Sequence, residues 1–103
     1  MKKYDVNDIE SNGEKFQPTK LIRKEDVEVV ILPFAPGQGL PMHTTPVDVF
    51  FYIIEGKITV TVGDETEEIE AGNVVLSPKG IPHTLKNEAD VDGKVMVVKT
   101  PKP

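Results

Sequence analysis

Two histidines, His43 and His83, are the residues of this 103-residue chain best suited to chemistry. The chain has no cysteine, and neither Ser11 nor Ser77 lies in a nucleophile motif, so thiolate and serine chemistry are not supported. Imidazole nitrogens bind Zn, Fe, Mn, Ni and Cu, and they also form hydrogen bonds with organic ligands. The residues around the second histidine have a fixed, turn-forming spacing: Gly72, Pro78, Gly80, His83 and Asn87.

The elements that must position these histidines are short strands. The run 27–32 is β-branched and ends at Pro33, and 49–54 is apolar at every position, which is typical of a strand buried on both faces. The run 57–62 alternates apolar and polar residues, and 95–98 forms a last strand. Short strands separated by Gly, Pro and Asn predict an all-β sandwich or barrel.

Strand alternation indicates which side chains share a pocket with the histidines. His83 and Leu85 lie on one face of their strand, so if Leu85 faces the barrel interior, His83 does too. On the preceding strand Val49 and Phe51 are expected to face the same interior. Weaker candidates for the pocket lining lie in or after the preceding loop: Gln38, Met42 and Thr45.

Length and charge exclude several functions. One domain is expected, with an arm over 1–26, a barrel over 27–100 and a short tail over 101–103. The net charge of −5, without a basic cluster, argues against nucleic-acid binding. No secretory signal and no apolar run of membrane-spanning length is visible, which predicts a cytoplasmic protein without membrane contact.

The stretch from Gly72 to Asn87 resembles the second conserved motif of the cupin superfamily, with every defining position present. The upstream stretch resembles the first cupin motif in part, at Gly37, His43 and Gly56. This resemblance covers about 27–100 and implies a jelly-roll β-barrel, usually dimeric. It also implies a metal held by three histidines and a glutamate.

Two of those four ligands are replaced, because Thr45 and Val49 stand where the resemblance places a histidine and the glutamate. Asp48 adjoins the missing glutamate, but alternation turns it away from the pocket unless a bulge intervenes. Two functions remain open. The first is a divalent-metal site on His43 and His83 that serves a small organic molecule, with the reaction and any catalytic residue unassigned. The alternative is a metal-free binding module for such a molecule, without catalysis.

The aromatic strand predicts an interface. If Val49 and Phe51 face inward, Phe50 and Tyr52 form an exposed apolar row, which must be covered. A second copy of the chain, giving a homodimer, is the favoured cover, and the arm over 1–26 is the alternative.

Overall fold

A computed structural model describes all 103 residues as a chain of eight β-strands. A single turn of 3-10 helix, Val6–Asp8, precedes them, and no helix is long and apolar enough to cross a membrane. The strands, in chain order, are β1 Thr19–Arg23, β2 Glu28–Phe34, β3 Val49–Glu55, β4 Lys57–Val62, β5 Glu65–Glu70, β6 Val74–Ser77, β7 His83–Lys86 and β8 Gly93–Lys99.

The strands form two antiparallel sheets that face each other. The larger sheet has the order β1-β2-β8-β3-β6, and the smaller has the order β5-β4-β7. The chain passes from one sheet to the other several times, which is the jelly-roll arrangement that the resemblance implied. The all-β prediction is therefore confirmed.

The core lies between the sheets and is built by strand alternation. Val49, Phe51 and Ile53 of β3 are buried, whereas Phe50 and Tyr52 are exposed, so β3 has one buried face. Within a single chain, only one of the two faces of this strand is therefore covered. An uninterrupted apolar run does not reveal which of its faces will be covered.

Strand β2 also differs from expectation, since it continues through Pro33 to Phe34. Its pairing with β1 reaches only as far as Ile31, and beyond that point one side of β2 is a sheet edge. Proline lacks a backbone N–H, and an edge position tolerates this because no ladder hydrogen bond is lost there.

The N-terminal arm packs along one end of the barrel. The ring of Phe16 stacks on that of Phe34, with centroids 4.8 Å apart. The buried Lys94 ammonium donates a 2.9 Å hydrogen bond to the carbonyl oxygen of Val6. Because these contacts lie at β2 and the start of β8, they leave the outer face of β3 and β6 uncovered.

Tight turns connect the strands at the motif residues. Four glycines of the two motifs have positive φ: Gly37, Gly56, Gly72 and Gly80. Gly56 has φ +77, and a Cβ there would lie 2.6 Å from the carbonyl oxygen of Asp92. The Asn87 side chain is fully buried and binds three backbone groups, those of Phe34, Val91 and Ala89. Asn87 therefore joins the end of β7 to β2 and to the loop before β8.

Candidate functional site

The structure brings His43 and His83 into contact. The loop around His43 runs antiparallel to β7, and the two histidines exchange backbone hydrogen bonds of 3.1 and 2.9 Å. Their rings meet edge to face with centroids 4.6 Å apart. The backbone pairing thus fixes the two imidazoles side by side at one wall of the barrel interior.

The imidazole of His83 is held in one orientation inside the barrel. Its Nδ1 lies 2.8 Å from the hydroxyl oxygen of Ser77, and its Nε2 lies 3.5 Å from that of Thr45. The ring of Phe51 packs against it at a centroid distance of 5.3 Å. Only 3% of His83 is exposed, so these contacts define the position of the ring.

Burial makes His83 a neutral group. Desolvation by burial, reinforced by Coulomb interactions with His43 and Lys99, lowers the pKa of His83 from 6.5 to about 4. At neutral pH one ring nitrogen of His83 therefore carries hydrogen and the other carries a lone pair. Because Ser77 engages Nδ1, His83 can offer a ligand only Nε2, whose contact with Thr45 is long. The residue is also a weak proton acceptor.

His43 lies at the exposed side of the pair. Its Nδ1 is 3.0 Å from the carbonyl oxygen of Pro41, which can only accept a hydrogen bond. The hydrogen of the neutral ring is therefore on Nδ1, and the lone pair is on Nε2. His43 consequently offers an acceptor nitrogen to a ligand or a cation.

Both histidines line a cavity of about 250 Å³ between the sheets. Six apolar side chains form most of its wall: Val30, Leu32, Leu40, Phe51, Leu85 and Val97. At the β1 side the cavity is bounded by Pro18 and by three charged residues, Lys20, Glu28 and Lys99. The site thus combines an apolar wall with an imidazole pair and a charged end.

The charged end was not predicted from the sequence. Glu28 is buried, and its carboxylate lies 3.7 Å from the ammonium of Lys99 and 3.6 Å from Nε of Arg23. Strand alternation in the sequence could have indicated that these two side chains point inward. Glu28 shares the inward face of β2 with Val30, and Lys99 shares that of β8 with Val97.

Only some of the residues predicted to line the pocket do so. Phe51 and Leu85 line the cavity, and Thr45 is buried beside His83. Val49 lies in the apolar core and not at the cavity wall. Gln38 and Met42 also lie outside the wall.

Local hydrogen bonding explains the position of Gln38. Its Oε1 accepts a 2.9 Å hydrogen bond from the N–H of Ala35, and its Nε2 donates to the carbonyl oxygen of Asn12. Gln38 therefore holds its own turn and the N-terminal arm. Met42 lies on the exposed side of the same segment.

Asp48 does not complete a metal site. It is exposed, and its Oδ1 accepts a 2.8 Å hydrogen bond from the N–H of Lys79. No group of three or more histidine, aspartate or glutamate side chains could hold a metal ion. A catalytic metal normally takes at least three protein ligands, and Lys99 adds an unfavourable positive charge nearby. The donor set therefore does not fit a resident catalytic metal.

Comparisons with known proteins agree with this fold. The family model described as "Cupin domain" matches residues 30–99. The Methanocaldococcus jannaschii protein MJ0764 is 29% identical over 85 residues, which cover 82% of this chain and 73% of that protein. Its crystal structure, described as an RmlC-like cupin with a double-stranded β-helix fold, superposes with a TM-score of 0.79, at 25% identity over 87% of this chain and 84% of that one. The crystal structure of TT1209 from Thermus thermophilus is 28% identical, covers 100% of both chains and has a TM-score of 0.93.

Proposed function

The chain belongs to the cupin domain family, and we propose that its barrel is a binding module that takes up a small organic molecule directly, without a metal. The cupin fold serves many chemistries, so the proposal rests on the site and not on membership of the family. The observation that supports the proposal is the composition of the cavity. Two imidazoles stand against an apolar wall, with no third histidine or carboxylate beside them to complete a metal centre.

The histidines act in this proposal as hydrogen-bonding partners of the ligand. The acceptor nitrogen of His43 and the neutral ring of His83 suit a hydroxyl or amide group. The surrounding apolar wall favours the carbon skeleton of the ligand by about 25 cal/mol for each Å² removed from water. Ser77 is fully buried behind His83 and is not a nucleophile for a bound molecule.

A variant that fills the cavity tests the proposal. Leu40 is only half-buried where it lines the cavity at the edge of the core, so Leu40→Trp adds volume there. The matched control is Ile81→Trp, which places the same ring on an exposed loop. A fragment library is screened by ligand-observed NMR in metal-free buffer. We expect hits with the wild type and the control, and their loss with Leu40→Trp. Equal binding by all three proteins would refute the proposal.

A divalent ion held by the two histidines is the second candidate. It is favoured by the hydrogen bond of His43 Nδ1 to a carbonyl oxygen, which leaves Nε2 as a ligand atom. His43 and His83 would hold Zn, Fe, Mn, Ni or Cu, with water or the organic ligand in the other positions. Elemental analysis of untagged protein decides between the candidates. Near-stoichiometric metal that is lost in a His43→Ala/His83→Ala variant would favour the ion over the metal-free module.

We also propose that the protein is a homodimer through the outer face of β3 and β6. Phe50 and Tyr52 are each 37% exposed, and on the neighbouring strand Val74 and Leu76 are 62% and 59% exposed. They are adjacent because Phe50 pairs with Leu76 and Tyr52 with Val74. Contiguous apolar residues of this kind mark interaction surfaces. Sedimentation velocity should show a dimer for the wild type and a monomer for Phe50→Lys/Leu76→Lys. A monomeric wild type at micromolar concentration would refute the dimer.

A further inference from the structure

We infer that the organic molecule is a compact monocarboxylate, bound with its carboxylate at the Lys20–Lys99 end of the cavity and its carbon skeleton against the apolar wall. The inference rests on the proposed function, since it names the class of ligand for the same cavity. It is supported by three features of the site: the charge balance, the volume, and the absence of groups that would bind a phosphate.

The charged end has a surplus of positive charge. Glu28 is the one acidic residue that lines the cavity, which Lys20 and Lys99 also line. Its carboxylate is shared, because Arg23 approaches one oxygen from outside the cavity while Lys99 approaches the other. One carboxylate therefore forms ion pairs with two cations, and Lys20 is a third cation at this end. The cavity thus has a local excess of positive charge, although the net charge of the whole chain is −5.

The positive charge reaches into the cavity. Lys99 follows Val97 on the inward face of β8, and only 24% of its side chain is exposed. Lys20 lies opposite Val30 on β2 and lines the cavity from an exposed position. The charge of Lys99 also contributes to lowering the pKa of His83. In a partly desolvated site the attraction between such a charge and an anion is several times that in water. An anionic group would thus be stabilised at this end.

The volume limits the size of the ligand. A dry cavity of about 150 Å³ accommodates benzene, which corresponds to about 25 Å³ for each heavy atom. The cavity of about 250 Å³ therefore holds about ten heavy atoms. This is the size of a small aromatic or branched aliphatic acid.

The anion is a carboxylate and not a phosphate. Phosphate sites are usually built from backbone N–H groups at a helix N-terminus or in a glycine-rich loop. The only helix here is the turn Val6–Asp8, which does not line the cavity. The apolar area of the wall also suits a ligand that is mostly hydrocarbon with one charge.

Binding of three nearly isosteric probes tests the inference: benzoate, benzamide and benzylammonium. Each is titrated into ¹⁵N-labelled protein at pH 7 and low ionic strength, in metal-free buffer without carboxylates. We expect benzoate to bind at least about tenfold more tightly than benzamide, and benzylammonium to bind most weakly. Raising the salt concentration should reduce only the advantage of benzoate.

Three variants assign the effect to the charged end. Lys99→Met keeps the length of the side chain and should remove most of the preference for benzoate over benzamide. Glu28→Gln should tighten benzoate binding by several fold, because it releases Lys99 from its ion pair. Lys79→Met removes an exposed charge outside the cavity and should change nothing. If Lys99→Met does not fold, Lys20→Met takes its place. A weaker preference for benzoate in Lys20→Met than in the wild type then assigns the carboxylate to this end of the cavity.

The possible failures are distinguishable. If benzamide or benzylammonium binds as tightly as benzoate, the carboxylate preference is wrong while the proposed binding module stands. If benzoate is preferred but Lys99→Met and Lys20→Met leave that preference intact, the assigned position of the carboxylate is wrong. If none of the three probes binds at millimolar concentration, the inference is refuted, and the fragment screen with Leu40→Trp decides separately whether the proposed binding module stands.

Discussion

The buried imidazole of His83 should make the free energy of unfolding depend on pH. In the folded protein its pKa is lowered from 6.5 to about 4, mainly by burial. Between these two values the unfolded chain binds a proton at this residue and the folded chain does not. Stability from this residue is therefore complete above pH 6.5 and is lost as the pH falls toward 4. Each pKa unit corresponds to about 1.4 kcal/mol, so the loss is about 2 kcal/mol at pH 5 and about 3 kcal/mol at pH 4.

Urea unfolding of the wild type and of His83→Gln between pH 7 and pH 5 measures this loss. Glutamine cannot titrate, so the stability difference between the two proteins should shrink by about 2 kcal/mol over this range. Carboxylates titrate in both proteins, and their contribution cancels in the difference. In parallel, the imidazole NMR signals of the wild type, assigned with His43→Gln, should give a midpoint near 4 for His83. A midpoint near 6.5, or a pH-independent stability difference, would refute the reasoning.

Two turn residues should be sensitive to substitution. Gly56→Ala should cost about 2–4 kcal/mol of unfolding free energy, because the added Cβ lies 2.6 Å from the carbonyl oxygen of Asp92 and φ is positive. The control is Gly13→Ala, because a Cβ at Gly13 would have no neighbour within 4 Å. Asn87→Ala should cost about 2–3 kcal/mol, because buried backbone groups lose their partner. Its control is Asn73→Ala, which removes one exposed hydrogen bond. Urea denaturation measures all four, and a loss in either control equal to that of its partner would contradict the argument.

The fold was largely predictable from the sequence because its strands are short and their ends are marked by glycine, proline and asparagine. The exceptions have a common physical reason. Whether Phe50 is buried, and whether Pro33 can lie within a strand, depends on which strand lies alongside and how far it extends. Such pairings join residues far apart in the chain, and local sequence patterns do not contain them.

The candidate site was predictable only in part. The spacing from Gly72 to Asn87 indicated that His83 points inward, and the upstream glycine-histidine spacing indicated His43. Glu28 and Lys99 were missed because charged residues at strand ends are usually solvated. Their inward position follows from alternation with Val30 and Val97, but the ion pair itself depends on the register of β2 against β8.

Position 49 lies between Ser77, which contacts His83, and Lys99 at the charged end of the cavity. Val49 lies in one cross-strand row with Lys99 on β8 and Ser77 on β6, and Glu28 extends the row beyond Lys99. A glutamate at position 49, where the resemblance places a metal ligand, would therefore lie next to Lys99, which would compete with a cation for its carboxylate. Valine instead adds no carboxylate that would compete for Lys99, whose charge stays available to an anion in the cavity. The missing metal ligand and the proposed preference for a carboxylate thus have the same physical origin.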